Sequence, residues 1–167
     1  MALLQRILSL PARVLYLALF LVAAGLLGFG LYLQHVVGLE PCPMCIMQRY
    51  AFALAAVLAL LAAIHGPERT GVRVYAALIG LAALGGGAIA AWQSWLQLDP
   101  PAIPECGPGL EFMLESFPLA EALPMIFRGA GDCAVVDWTF LGLSIANWSL
   151  LSFGATLAFA VWMLRRG

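Results

Sequence analysis

Residues 40–64 read EPCPMCIMQRYAFALAAVLALLAAI, a Cys-x-x-Cys pair that leads directly into an apolar run. A helix needs about 20 apolar residues to cross the ~30 Å hydrocarbon core of a bilayer, and the run from 46 to 64 has that length. Three further stretches share its length and character: 14–33, 74–92 and 140–164. We therefore predict an all-α membrane protein, a bundle of four transmembrane helices formed as a single domain over residues 1–167.

The composition favours a bilayer as the surroundings of the chain. Hydrophobic residues make up 63% of the 167 positions and charged residues 10%, which is more apolar surface than one small water-soluble core can bury. The first run follows Arg6 and Arg13 as a secretory signal would, but it is longer than the roughly 7–15 apolar residues of a signal core. We therefore keep it as a span, and we expect a lipid-embedded protein with no nucleic-acid partner.

Arginine decides the predicted orientation, because the sequence contains no lysine. Six of the eight basic residues fall before the first span, between the second and third spans, or at the carboxyl end: Arg6, Arg13, Arg69, Arg73, Arg165 and Arg166. The positive-inside rule makes this side cytoplasmic, together with both termini. The loops 34–45 and 93–139 are then predicted to lie outside, in a compartment such as a bacterial periplasm.

The four cysteines all fall in these outer loops, as Cys42, Cys45, Cys106 and Cys133. Thiols at exposed positions in an oxidising compartment are expected to form disulfides. Four cysteines allow three pairings, and the spacing favours a local bridge between Cys42 and Cys45. Cys106 and Cys133 would then close the long loop, although the resting pairing stays open at this point.

The position of Cys45 favours a reactive thiolate. It lies at the predicted amino terminus of the second span, where unpaired backbone amides and the helix dipole stabilise an anion. Arg49 follows four residues later on the same helical face and adds a full positive charge. The alternative is a stabilising disulfide, with Arg49 reaching the lipid head groups. We expect no metal site, because Cys106 and Cys133 do not form a second closely spaced pair.

The outer loop 93–139 has proline- and glycine-rich ends and an apolar middle. Between residues 110 and 123 the spacing of apolar side chains against three glutamates predicts a short amphipathic helix on the membrane surface. A cap packed under the loop is the alternative. A disulfide between Cys106 and Cys133 would join two flexible segments and be accessible to the thiolate of a soluble protein. A structural clamp on the loop is the other interpretation of that pair.

Three segments resemble a known family: QHVVGLEPCPMCIMQRYAF at 34–52, WLQLDPPAIPEC at 95–106 and GDCAVVDWTFLGLSIANW at 131–148. With the four spans, they resemble the DsbB family of bacterial disulfide bond formation proteins over nearly the whole chain. The resemblance implies a multi-pass enzyme of the bacterial inner membrane that reoxidises the periplasmic thiol oxidase DsbA. It also implies that the electrons pass to a membrane quinone, ubiquinone or menaquinone.

The resemblance also implies a role for individual residues. Cys106 matches the cysteine that reduced DsbA attacks, and Cys133 matches its disulfide partner. Cys42 and Cys45 match the pair nearest the quinone, with Cys45 engaging the quinone ring. Arg49 matches the arginine required for the interaction with quinone.

Two glutamines complete the predicted site. Gln93 stands where some members of the family carry a histidine near the quinone. Glutamine donates a hydrogen bond to a quinone oxygen, but unlike histidine it does not titrate near neutral pH. Gln34, near the outer end of the first span, is expected to face the same pocket.

Two other classes of protein remain as alternatives. A non-catalytic membrane scaffold with two permanent disulfides would resist reduction and would tolerate neutralisation of Arg49. A four-span oxidoreductase of the vitamin K epoxide reductase type would run similar chemistry. That family carries its cysteine pair towards the end of a late helix, whereas Cys42 and Cys45 open the second span.

Overall fold

The computed structural model describes residues 10–100, 116, 118 and 133–166. Four helices run through them: α1 (Ala12–His35), α2 (Pro43–His65), α3 (Arg69–Leu98) and α4 (Ile145–Arg166). Each helix is long and apolar enough to cross a membrane, so the predicted four-helix, multi-pass membrane protein is confirmed. Of the amphipathic helix predicted between residues 110 and 123, only residues 116 and 118 are among those described, so it stays a prediction.

Local sequence explains how the helices begin and end. The side chain of Cys42 caps α2, and Pro43 takes the first helical position, where no backbone N–H is needed. Gly66 ends α2 with the left-handed backbone (φ 59°) that glycine adopts without strain. Ser144 precedes α4, and its hydroxyl accepts a hydrogen bond from the backbone N–H of Asn147 at 3.3 Å.

The third helix is longer than the predicted span. It continues to Leu98, whereas the predicted span ends at residue 92. Gln93, which was predicted to begin the outer loop, therefore lies inside α3 and is buried. The helix extends past the predicted span because polar residues end an apolar pattern without ending the backbone hydrogen bonds of the helix.

The fourth helix begins later than the predicted residue 140. A two-stranded antiparallel hairpin precedes it, with β1 (Thr139–Phe140) paired to β2 (Leu143–Ser144). Leu141 and Gly142 form the turn with φ of 53° and 79°. Positive φ at both central positions is what a two-residue hairpin loop with a type I′ turn requires. Apolar residues in this hairpin had extended the predicted span towards the amino terminus.

The helices pack in chain order, α1 against α2, α2 against α3 and α3 against α4. We call the end of the bundle that carries Arg13 and Arg69 the arginine end, and the end that carries Cys42 the cysteine end. At the arginine end the first and fourth helices also meet, with the ring centroids of Tyr16 and Phe159 6.0 Å apart. The Tyr16 hydroxyl also donates to a backbone carbonyl of α3 at 2.8 Å, so all four helices are joined there.

Small residues fill the interfaces between the helices, and large apolar residues point outward. The fully buried positions include Ala59, Ala62, Ala76, Ala90 and Ala160. The outward-facing positions include Leu21, Val22, Ile64 and Leu81, each between 60% and 65% exposed. This distribution suits helices that contact lipid on the outside and approach one another closely on the inside.

We expect Gly86→Ala to destabilise the bundle by about 1–3 kcal/mol, the usual cost of overpacking a core. A Cβ at Gly86 would overlap Cζ of Phe153 and lie 2.8 Å from Cβ of Ala51. The Phe153 ring has little room to move, because it is stacked on the ring of Phe52 with centroids 3.9 Å apart. Unfolding of the detergent-solubilised protein, followed by circular dichroism, measures the loss.

Gly85→Ala is the matched control, since a Cβ there would meet no atom from the rest of the described chain within 4 Å. This change is expected to leave the free energy of unfolding unchanged or to raise it by up to about 1 kcal/mol through helix propensity. Phe153→Leu should restore part of the stability lost in Gly86→Ala. Equal losses at the two glycines would contradict the packing described above.

Candidate active site

The Cys-x-x-Cys pair lies at the first turn of α2. The sulfur of Cys42 accepts a hydrogen bond from the backbone N–H of Cys45 at 3.4 Å, as a capping side chain does. Both residues are thiols in this structure, and their sulfurs are 2.9 Å apart, with the Cys42 thiol donating to Cys45. The acceptor sulfur therefore belongs to the residue at the helix amino terminus, where backbone dipoles favour negative charge.

The side-chain amide of Gln93 faces both sulfurs. Its Nε2 lies 3.3 Å from Sγ of Cys42 and 3.4 Å from Sγ of Cys45. Gln93 is 3% exposed and is positioned by the part of α3 that extends beyond the predicted span. A hydrogen-bond donor at this place favours the thiolate over the thiol.

Gln48 binds the other end of that amide. Its Nε2 donates to Oε1 of Gln93 at 2.7 Å, and its side chain is also 3% exposed. The two glutamines, one from α2 and one from α3, thus form a buried pair beside the sulfurs. Gln48 was not among the site residues predicted from the sequence. A signal was present, because a polar side chain inside a membrane helix is costly without a partner.

Arg49 is attached to the first helix rather than to lipid head groups. Its guanidinium donates from Nη1 to Oε1 of Gln34 and from Nη2 to the backbone carbonyl of Gly30 at 3.0 Å. Both acceptors belong to the last turns of α1. Their oxygens satisfy the guanidinium within the bundle, so the charge is held at a defined place near the cysteines.

Cys133 is fully buried beside Cys42. The two cysteines and Met44 form one buried cluster, with Cys45 packed against it. The pKa of the Cys42 thiol is raised, chiefly by its side-chain hydrogen bond with Cys133, then by that with Cys45, and then by burial. Cys42 therefore keeps its proton and contacts one cysteine on each side.

The burial of Cys133 differs from the accessible position expected for it in the sequence analysis. Its side chain is 0% exposed, because the chain leading to the hairpin turns it inward onto α2. Loop composition alone does not show such a turn. Cys106 lies outside the described residues, and its pairing with Cys133 stays a prediction.

A cavity of about 1070 Å³ lies beside these side chains, between α1 and α4. Its polar lining includes Cys42, Cys45, Gln48, Arg49, Gln93 and Gln97. Its aliphatic and aromatic lining includes Leu26, Leu27, Phe29, Phe52, Trp138 and Trp148. The volume lies at the upper limit of common small-molecule pockets, about 300–1,000 Å³. The cavity therefore suits a large, mostly apolar molecule with a few polar atoms.

The hairpin holds Trp138 over this cavity. Its ring packs edge-on against Phe29 of α1, with centroids 5.8 Å apart, and stacks on Phe140 of β1 at 6.1 Å. The indole N–H of Trp148 in α4 donates to the backbone carbonyl of Phe140 at 3.0 Å. These contacts connect the first helix, the hairpin and the fourth helix across the cysteine end.

The predicted site residues are brought together to different degrees. Direct side-chain contacts join Cys42, Cys45, Cys133 and Gln93, and Arg49 lines the same cavity. Gln34 reaches the site only through Arg49, since it is not part of the cavity wall. In the part of the chain that the structure describes, no group of three or more His, Cys, Asp or Glu side chains is placed to hold a metal.

The site lies within a region of clear similarity to known proteins. A family model described as "Disulfide bond formation protein DsbB" matches residues 12–163. This match includes all four cysteines, both members of the glutamine pair and all four helices except the last residues of α4.

Individual relatives agree with the family match. A "Disulfide bond formation protein B" of Azoarcus sp. (strain BH72) is 69% identical over 152 residues, covering 91% of this chain and 92% of the relative. A protein of the same name from Aromatoleum aromaticum is 67% identical over 158 residues, covering 95% of each. "Disulfide bond formation protein B 1" of Pseudomonas aeruginosa is 47% identical over 150 residues, covering 89% of this chain and 92% of the relative.

Proposed function

Because the chain belongs to the DsbB family of disulfide bond formation proteins, we propose that it is a thiol:quinone oxidoreductase that reoxidises a DsbA-type protein. A role in disulfide formation comes with the family, and the partner and the electron acceptor are the proposed part. We place the protein in the bacterial inner membrane with its cysteine end facing the periplasm. The cluster of arginines at the opposite end supports that orientation.

The observation that carries the proposal is the position of Cys45 between two different surroundings. On one side its sulfur is 2.9 Å from that of Cys42, which in turn contacts Cys133. On the other side Cys45 and Arg49 line the cavity between the first and fourth helices. A thiol so placed connects a chain of cysteines with a molecule dissolved in the membrane.

On the donor side, the proposed route uses disulfide exchange through Cys106 and Cys133. A thiolate of the reduced partner attacks Cys106, the Cys106–Cys133 bond breaks, and the partner's second thiolate then displaces Cys106. The partner leaves oxidised, and the loop pair has gained two electrons and two protons.

The loop pair then passes its electrons inward. The Cys133 thiolate attacks Cys42 of a Cys42–Cys45 disulfide, and Cys45 leaves as a thiolate. Cys106 next attacks Cys133, which restores the loop disulfide and releases Cys42 as a thiol. The burial of Cys133 against Cys42 supports this transfer, because the two side chains are already in contact.

The residues of the cavity suit a quinone with an isoprenoid tail. Arg49 supplies a positive charge and hydrogen-bond donors near Cys45, and the aliphatic and aromatic lining suits the tail. A bound quinone accepts two electrons and two protons and leaves as the quinol. Oxidation of Cys42 and Cys45 to a disulfide releases the same number of each, so the exchange balances. The acceptor is ubiquinone or menaquinone.

The full chain in detergent, mixed with a short-chain ubiquinone and an excess of a reduced DsbA-type protein, tests the proposal. We expect the ultraviolet absorbance of the quinone to disappear at one quinone per partner dithiol oxidised. The reaction should require both proteins. A sample whose thiols are first reduced and then blocked with N-ethylmaleimide is the control and should show only the background rate.

Two further outcomes are informative. If ubiquinone is not reduced, a menaquinone analogue is tested in the same way, and reduction of that analogue alone would identify the acceptor. Failure with both quinones would contradict the proposal. It would favour the scaffold with two permanent disulfides, which also predicts that Arg49 can be neutralised without effect.

A further inference from the structure

Gln48 is a buried polar side chain to which the proposed electron route gives no role. Among the described residues it makes no hydrogen bond to Cys42 or Cys45, and its Nε2 donates instead to Oε1 of Gln93 at 2.7 Å. The Gln48 side chain is 3% exposed, and burying an amide inside a membrane helix is costly, so such residues are usually functional. We propose that Gln48 is a positioning residue, which orients the Gln93 amide so that its N–H group faces the sulfurs.

The orientation of an amide matters at this place because its two ends have opposite effects on a thiolate. The Nε2 end of Gln93 lies 3.3 and 3.4 Å from the two sulfurs and donates to them. The Oε1 end is only 3.8 Å from the sulfur of Cys45. A 180° flip of the Gln93 amide would exchange Nε2 and Oε1. The oxygen lone pairs would then face the sulfurs and repel negative charge on Cys45.

The contact with Gln48 distinguishes the two orientations. In this structure Gln48 presents Nε2, which only donates, and this atom binds Oε1 of Gln93 at 2.7 Å. With that oxygen occupied, the N–H group of Gln93 is directed at the cysteines. Because both side chains are only 3% exposed, bulk water has little access to either end of the amide.

The inference concerns the same site as the proposed function and rests on it for its consequence in turnover. Its direct consequence is separate, because Cys45 reacts with an alkylating agent without partner or quinone. Only the thiolate reacts, so the rate of labelling below neutral pH reports how well the surroundings stabilise the negative charge. Failure of this test and failure of the proposed function are therefore distinguishable.

The test is a double-mutant cycle with Gln48→Met and Gln93→Met on the full chain in detergent. The reduced proteins are labelled with iodoacetamide over a range of pH, and the label on Cys45 is quantified by mass spectrometry. Gln93→Met should slow labelling at pH 6 about tenfold, the size expected when a thiolate loses one hydrogen bond to a charged group. Gln48→Met should slow it by a factor between about 3 and 10, since the donor remains but loses its orientation.

The decisive result is the double variant. If Gln48 acts through Gln93, the double variant labels at the rate of Gln93→Met alone. The proposal would be overturned if Gln48→Met slowed labelling by the same factor in the unmodified chain and in Gln93→Met. It would also be overturned if Gln48→Met had no effect in the unmodified chain. Ser94→Ala is the control, because its side-chain oxygen has no hydrogen-bond partner among the described residues, and its labelling profile should match the unmodified protein.

A second variant covers the case in which Gln48→Met does not fold. Gln48→Glu keeps the size of the side chain, and where the new carboxyl is ionised it only accepts hydrogen bonds and would bind Nε2 of Gln93 instead of Oε1. Because burial raises the pKa of a carboxyl group, labelling of this variant is compared from pH 6 up to pH 9. We expect Gln48→Glu to slow labelling of Cys45 more in the unmodified chain than in Gln93→Met. An equal effect in both would show that the added charge acts directly, and it would also overturn the proposal.

Discussion

Cys45→Ser is expected to stop quinone reduction, with a loss of at least about 10³-fold in turnover, because a hydroxyl cannot form the disulfide that the electrons leave from. The remaining cysteines, Cys42, Cys106 and Cys133, hold at most one disulfide. The variant should therefore oxidise no more than one equivalent of a reduced DsbA-type protein, even with an excess of quinone. Acid-quenched samples, with thiols counted over time, measure that limit.

The comparison with the unmodified protein makes this result specific. The unmodified chain should oxidise many equivalents of the partner under the same conditions. In Cys45→Ser the first equivalent should still react, because attack on Cys106 does not involve the pair at α2. Continued quinone reduction by the variant would show that another group passes electrons to the quinone. Loss of even the first equivalent would show that the loop pair depends on Cys45.

Arg49→Met is expected to lower turnover with quinone by about 10²–10³-fold, the usual effect of removing a positive hydrogen-bond donor from developing negative charge. The variant loses the charge beside Cys45 and both bonds to α1, at Gln34 and at the carbonyl of Gly30. Arg49→Lys keeps the charge but loses the planar guanidinium, so its turnover should lie between those of the unmodified protein and Arg49→Met. Initial rates at several quinone concentrations separate weaker binding from slower reaction.

Arg13→Met is the matched control for this prediction. Arg13 also holds two neighbouring helices together, since its guanidinium donates to the carbonyls of Ala63 and Ile64 at 2.9 Å each. It lies at the arginine end, far along the bundle from the cysteines. We expect Arg13→Met to lower thermal stability while leaving quinone kinetics within about twofold, because it alters no group in the cavity. An equal loss of turnover in Arg49→Met and Arg13→Met would mean that Arg49 acts only by stabilising the packing of α1 on α2.

Much of the architecture could be predicted from the apolar pattern, because lipid permits few solutions. A chain in hydrocarbon must satisfy its backbone internally, so four long apolar runs predict four helices. The boundaries were less predictable. Gln93 and the hairpin around Leu141 fall at the ends of two apolar runs, and there composition does not indicate where a helix ends.

Within the site, the spacing of residues along one helix predicted which of them lie close together. Contacts between different helices could not be predicted in this way. Cys42, Cys45 and Arg49 lie within two turns of one helix, so their neighbourhood follows from helix geometry. The resemblance to a family supplied Cys133 as a further member of the site, but not its burial against Cys42. Gln34 was expected to face the pocket and instead binds Arg49, which only the packing of α1 on α2 decides.

The sequence by itself determined that the chain has four membrane-spanning runs and that a Cys-x-x-Cys pair stands at the beginning of the second. Both follow from interactions along one helix and between a helix and lipid, which local residue order controls. Only the tertiary structure decided that Gln48 and Gln93 form a buried amide pair, that Cys133 meets Cys42, and that a cavity lies between α1 and α4. Those features join residues far apart in the chain, and they depend on how helix faces pack, which periodicity along one segment does not specify.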